Sequence, residues 1–183
     1  KDKTVSKVSD VELKDFMNTR ELEIGFKLST QDYIILPMTV KQAWESFFAD
    51  DASFNLHEAL EKSGDKVDQI GLWSRPDDGK SLFERIISKR TKVPKNPFVD
   101  YANSKSHQYL RKLTGSEMVI DEVTSGSGFL YADSLRVHTR WEIISKFSDS
   151  TKSIMRHSWH LEWVDKPYFV SKIISNTAKG KVE

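Results

Sequence analysis

The chain has 183 residues, with 28 Lys and Arg against 27 Asp and Glu, and no cysteine. The length suits one domain with a real core or cavity, and the near-zero net charge argues against a nucleic-acid binder. The missing cysteines exclude a disulfide framework and a thiolate metal site and fit a cytosolic setting, while no apolar run approaches the roughly 18 residues that cross a bilayer.

No signal peptide is visible at the N-terminus. The chain opens on Lys1 and ends in the polar "AKGKVE". It therefore reads as a monomeric domain of a longer protein, with any membrane anchor outside it. Residues 1–20 form a polar extension, 21–180 a single domain, and 181–183 a tail. "ELEIGFKL" alternates, with Leu22, Ile24, Phe26 and Leu28 on one side, which predicts a half-buried strand. "DYIILP" continues it and stops at Pro37. Thr39 is a candidate N-cap for "VKQAWESFFADD", where Val40, Ala43, Trp44 and Phe47 make one helical stripe. A second short helix is expected from Ser53 to Gly64, a natural C′ residue.

The chain then turns to strands. "DQIGLWSR" and "KSLFERIISKRT" flank the turn signal "PDDG". "TKVPKNPFVDYANS" (91–104), with two prolines and two asparagines, reads as a surface loop. "SKSHQYLRKL" and "SEMVIDEVTS" follow around a Thr114-Gly115 turn, and "GSG" at 126–128 breaks the pattern. "LRVHTRWEIISKF" and "KSIMRHSWHLEWV" are the cleanest strands. Phe169, Ile173, Ile174 and Thr177 recur at helical spacing, and Gly180 closes that final helix. Strands followed by a long helix argue an α+β fold, an antiparallel sheet packed on that helix.

No P-loop, G-x-G-x-x-G, G-x-S-x-G or H-E-x-x-H occurs, and no cofactor is implied. His157 and His160, three apart on a strand, should point to opposite faces and not pair on a metal. Asp50-Asp51 and Asp77-Asp78 sit where Asp is common at helix ends and turns. The chain is therefore not expected to be an enzyme. The strand set Met155, His157, Trp159, Leu161 and Trp163, with Leu135, Val137, Thr139, Trp141 and Ile143, should face inward. That face is either a core with a hydrogen-bonded histidine or an apolar pocket with a few orienting polar groups. The 91–104 loop carries Val93, Phe98, Val99 and Tyr101 beside Lys92 and Lys95. It either tucks onto the fold as an Ω-loop, contacts a protein, or forms a lid that meets an anionic membrane.

Five stretches, taken together, resemble the VASt domain, the StART-like module of the LAM and Aster proteins. They are "LPMTVKQAWESFFADDASF" (36–54), "IGLWS" (70–74), "VPKNPF" (93–98), "LRVHTRWEI" (135–143) and "SWHLEWVDKPYFVSKIISNTAKG" (158–180). The resemblance runs from about Phe26 to Gly180. It implies a helix-grip fold, in which a curved antiparallel sheet wraps a long C-terminal helix around an internal apolar cavity. It further implies non-vesicular sterol transfer, of ergosterol or cholesterol, between endoplasmic reticulum and plasma membrane at their contact sites. The domain would face the cytosol as part of a protein anchored in the endoplasmic reticulum.

The expected pocket set is Trp73, Phe83, Tyr109, Val137, Thr139, Trp141, His157, Trp159, Phe169 and Ile173. His157 and Thr139 would orient the sterol hydroxyl. Lys92, Val93, Lys95, Phe98, Val99 and Tyr101 would form the lid and membrane contact. The segment 123–134 lacks the prolines usual in the family. This leaves a second expectation, a degenerate member with a collapsed cavity that senses membranes or binds proteins.

Overall fold

The computed structural model describes residues 31–77, 81–93, 100–128, 132–145 and 151–165, with the side chains of 31–33 left aside. The expected strand at 22–28, the C-terminal helix with Phe169 and Ile173, and the loop residues Lys95, Phe98 and Val99 lie outside these described residues. The described residues form a seven-stranded, wholly antiparallel sheet with two short helices.

The strands are β1 (Gln31–Leu36), β2 (Lys66–Ile70), β3 (Phe83–Lys92), β4 (Tyr101–Leu113), β5 (Glu117–Ser127), β6 (Leu135–Ile144) and β7 (Ser153–Trp163), in spatial order β1-β7-β6-β5-β4-β3-β2. From β2 to β7 every strand pairs with the next in sequence. β1 breaks the meander by adding to β7, in register Ile34 to Met155. The loop expected at 91–104 is narrower than its prolines suggest. β3 runs to Lys92, β4 starts at Tyr101, and the Val93 N–H donates to the Asp100 carbonyl at 2.9 Å. β5 likewise continues through Gly126 and Ser127, and Gly128 takes a φ of +93° beyond it. A backbone ladder to β4 outweighs the weak local preference of glycine there.

The connection from β1 to β2 carries the helices. Thr39 caps α1 (Val40–Ala43) as expected. Its side chain accepts from the Gln42 N–H at 3.1 Å, and the Gln42 side chain accepts from the Thr39 N–H at 2.9 Å. This reciprocal pair is a capping box. The chain does not continue as a regular helix. Trp44–Phe48 widens into a π-helical turn. α2 (Leu56–Lys62) is capped by Asn55 in place of Ser53, and Gly64, at φ +94°, is the left-handed residue after its end.

These helices sit on one face of the sheet. Leu36, Val40, Ala43, Leu110, Met118, Ile120 and Ile143 form its buried core, and Trp44, Phe47, Phe48, Trp73 and Phe83 pack against it. The opposite face is buried over β6 and β7. There Arg156 donates through Nε to Glu142 Oε2 at 2.6 Å, and through Nη2 to the same oxygen. Both side chains are essentially without solvent exposure.

Candidate functional site

The register sorts the helix-covered face into rows across the sheet. His157, Trp141, Ile120, Leu110 and Phe83 form one row from β7 to β3. The next is Trp159, Thr139, Glu122, Gln108 and Arg85, and the one after is Leu161, Val137, Thr124, Ser106 and Ile87. In the middle row polarity rises from Trp159 on β7 to Arg85 on β3.

Beyond the core the helices and the sheet part to leave a pocket of about 480 Å³. That volume lies within the roughly 300–1,000 Å³ usual for small-molecule sites. Its roof is aromatic and aliphatic, from Phe47, Phe48 and Phe54 to Leu56 and Leu60. Ile34, Met155, Trp141 and Ile87 line it from the sheet. Phe47 meets Phe54 edge-on at 5.8 Å, and Phe48 meets Trp141 at 6.4 Å, so the roof rings hold each other in place.

The floor is polar. Arg85, Ser106 and Gln108 line the pocket while almost fully buried, beside Glu122 and Lys89. Arg85 donates through Nε to Gln108 Oε1 at 2.7 Å, and Gln108 donates through Nε2 to Glu122 Oε2 at 2.6 Å. Thr124 donates its hydroxyl to Glu122 Oε1 at 3.0 Å, and Ser106 Oγ lies 2.7 Å from Thr124 Oγ1. Lys89 is held by Asp65 at 2.5 Å. Burial pushes the Arg85 guanidinium down from its ordinary value, and the charges of Asp50 and Glu122 push it back up.

Arg85 also reaches the roof. It donates through Nη1 to the Phe48 carbonyl at 3.2 Å and lies 4.5 Å over the Trp73 ring. Trp73 donates from Nε1 to the same carbonyl at 2.7 Å, and its backbone N–H donates to Asp50 Oδ1 at 3.1 Å. The π-helical turn ends at this carbonyl, where the helix leaves acceptors unmet.

Of the expected pocket residues, Trp141 lines the pocket, and Trp73 and Phe83 pack on the core beside it. Val137, Thr139, His157 and Trp159 share the pocket's face but are not among the residues that line it. His157 stacks on Trp141 with ring centres 4.1 Å apart. Tyr109 requires a correction. It stands opposite Asp121 on the other face, stacked on His107 at 6.3 Å with the Arg111 guanidinium 4.9 Å above it. β4 turns Ser106 and Gln108 inward because both find hydrogen-bond partners there, which leaves the aromatic outside.

His157 and His160 do face opposite ways. His160 stacks on His138 at 4.5 Å on the outer face, where the His138 ring nitrogen meets Glu162 at 2.6 Å. Burial pushes the His160 imidazole below its ordinary value. His138 adds to this, and Glu162 opposes it. Among the described residues no group of three or more His, Asp and Glu could hold a metal ion, and no helix is long and apolar enough to cross a membrane. Of the lid residues, Lys92 and Tyr101 are paired strand ends, and the Lys66 ammonium lies 4.1 Å over the Tyr101 ring.

The family model for VASt, the VAD1 Analog of StAR-related lipid transfer domain, matches residues 32–180. A comparison with curated protein sequences finds no match. Among solved structures, truncated norcoclaurine synthase from Thalictrum flavum is similar at 12% identity and a TM-score of 0.47, over 84% of each chain. A START superfamily protein from Mycobacterium smegmatis matches at 11% identity and a TM-score of 0.41, over 84% of this chain and 90% of the other. Zhui aromatase/cyclase from Streptomyces sp. R1128 matches at 7% identity and 0.43, over 84% and 85%.

Proposed function

Because the chain belongs to the VASt family of StAR-related lipid-transfer domains, we propose that it binds a sterol, ergosterol or cholesterol, and carries it between membranes without vesicles. The observation that carries this reading is the pocket itself, with an apolar roof over a sheet in a chain of lipid-transfer descent. Burying roughly 400–500 Å² of a sterol at about 25 cal/mol/Å² is worth on the order of 10 kcal/mol gross. Extraction exchanges one apolar environment for another, so no covalent step is needed. The proposed setting is the cytosolic side of contacts between endoplasmic reticulum and plasma membrane, as part of a membrane-anchored protein. The end of the β3–β4 hairpin bearing Lys92, Val93 and Tyr101, with Lys66 beside Tyr101, would meet an anionic membrane surface, and Lys95, Phe98 and Val99 are proposed to take part in that contact.

The test is uptake of a fluorescent sterol by the purified chain, competed with unlabelled sterol and with a phospholipid. Saturable binding displaced by sterol alone is the expected result. A folded chain that takes up no sterol would overturn the proposal and leave a membrane-sensing or protein-binding member of the family.

A further inference from the structure

The pocket floor has a direction, and it follows from counting protons. A guanidinium can only donate and a carboxylate can only accept. Gln108, set between Arg85 and Glu122, is therefore fixed with its oxygen toward Arg85 and its NH₂ toward Glu122. The single Thr124 hydroxyl proton goes to Glu122 Oε1. The Ser106 hydroxyl must then donate to Thr124 across their 2.7 Å contact. Both carboxylate oxygens of Glu122 are engaged, and the hydroxyls of Thr124 and Ser106 and one hydrogen of the Gln108 NH₂ each have a partner facing them.

Arg85 has five N–H donors. Nε–H goes to Gln108 and one hydrogen on Nη1 goes to the Phe48 carbonyl. The remaining three meet no acceptor among the described residues, although the side chain lines the pocket and its residue is only 6% exposed. Donors that open onto a pocket with no protein acceptor are satisfied only by solvent or by a ligand. A pocket that retains such donors is complementary to a ligand oxygen.

The charges around it leave no positive excess: Arg85 and Lys89 stand against Glu122, Asp50 and Asp65. Glu122 and Asp50 lie close enough to act on Arg85 electrostatically, and Lys89 is paired with Asp65. An anionic headgroup would add a negative charge with no counter-charge left for it in a desolvated site, and a cationic one would meet only the donors of Arg85. A neutral oxygen would add no charge.

Resting on the lipid-pocket reading above, we propose that Arg85 is the specificity-determining residue, and that it selects an otherwise apolar ligand carrying one uncharged acceptor oxygen, a hydroxyl or a ketone. Arg85 reads that oxygen with its remaining N–H donors. Phe48 and Gln108 hold the guanidinium in place from the roof and from the floor.

The experiment measures binding of cholesterol, its 3-deoxy hydrocarbon and cholesterol sulfate to the wild-type chain and to Arg85→Met. The wild type should prefer cholesterol over the hydrocarbon by roughly ten-fold or more, as expected for a hydrogen bond to a charged donor. It should bind the sulfate less well than cholesterol. Arg85→Met should lose the preference for cholesterol while keeping its affinity for the hydrocarbon. Equal wild-type affinity for cholesterol and the hydrocarbon would overturn the inference without any variant, whether or not Arg85→Met folds. So would an unchanged preference in a folded Arg85→Met. Tighter binding of the sulfate would overturn its uncharged character. If the wild type binds none of the three, the lipid-pocket reading fails and this inference falls with it.

Discussion

Ser106→Trp should abolish ligand binding, whereas His107→Trp, one residue further along β4, should not alter it. Ser106 lies on the pocket floor between Ile87 and Thr124, while His107 faces away and stacks on Tyr109. An indole covers roughly 150–250 Å² of apolar surface. Taken from a sterol's contacts at about 25 cal/mol/Å², that area removes roughly 4–6 kcal/mol. At 1.4 kcal/mol per factor of ten the affinity falls by about three to four orders of magnitude. A ligand that shifts within the 480 Å³ pocket recovers part of this, so a loss of at least a hundred-fold is the working expectation. The fold should survive. The indole enters open space, and the lost hydrogen bond to Thr124 costs about 0.5–1.5 kcal/mol. Fluorescent sterol titration of both variants, with thermal melts alongside, makes the measurement. Wild-type affinity in a folded Ser106→Trp, or lost binding in His107→Trp, would refute the face assignment and the pocket with it.

The buried pair on the other face should be strongly asymmetric to substitution. Arg156→Met leaves Glu142 charged and buried and should cost about 3–5 kcal/mol, or roughly 6–20 °C in Tm, whereas replacing both with leucine should restore much of it; equal melts for single and double variants would refute this. Thr39→Ala removes the capping box and should lower stability by about 1 kcal/mol in a urea titration; an unchanged midpoint would mean that tertiary packing alone holds α1. Folding lowers the proton affinity of His160. The unfolded chain therefore takes up the proton first as pH drops through about 6.5, and stability falls as pH falls below that value. His160→Gln should flatten this limb of the stability profile, and an unaltered slope would assign it to other groups.

Alternation and capping carry much of the fold. β6 and β7 follow directly from their period-2 rows, and the Thr39 cap follows from its position before an apolar stripe. The same counting places Val137, Thr139, Trp141, His157 and Trp159 on one face, and the register agrees. It fails on β4, where hydrophobicity points to Tyr109 and the fold turns Ser106 and Gln108 inward. Polar residues face a pocket when they satisfy one another across strands, and those partners are distant in sequence. One signal was available. Phe83 was expected inside, and period-2 counting along β3 then carries Arg85, Ile87 and Lys89 to the same face. A buried arginine beside a pocket was legible from that step. Its partners, 23 and 37 residues away, were not.

A lipid carrier faces a constraint that most binding proteins do not. Its ligand leaves an apolar medium, so apolar burial sets the scale of affinity yet scarcely distinguishes pocket from bilayer. Selectivity must then come from the ligand's polar end, where a buried donor discriminates far more sharply than one methylene more or less. In this chain that end of the pocket is Arg85. The same guanidinium binds the last carbonyl of the π-helical turn that carries Phe47 and Phe48. Recognition of a ligand oxygen and the position of the aromatic roof therefore share one side chain. A ligand that engages Arg85 adds to the link between floor and roof, and one that cannot leaves the roof carbonyl held by Arg85 and Trp73 as it stands.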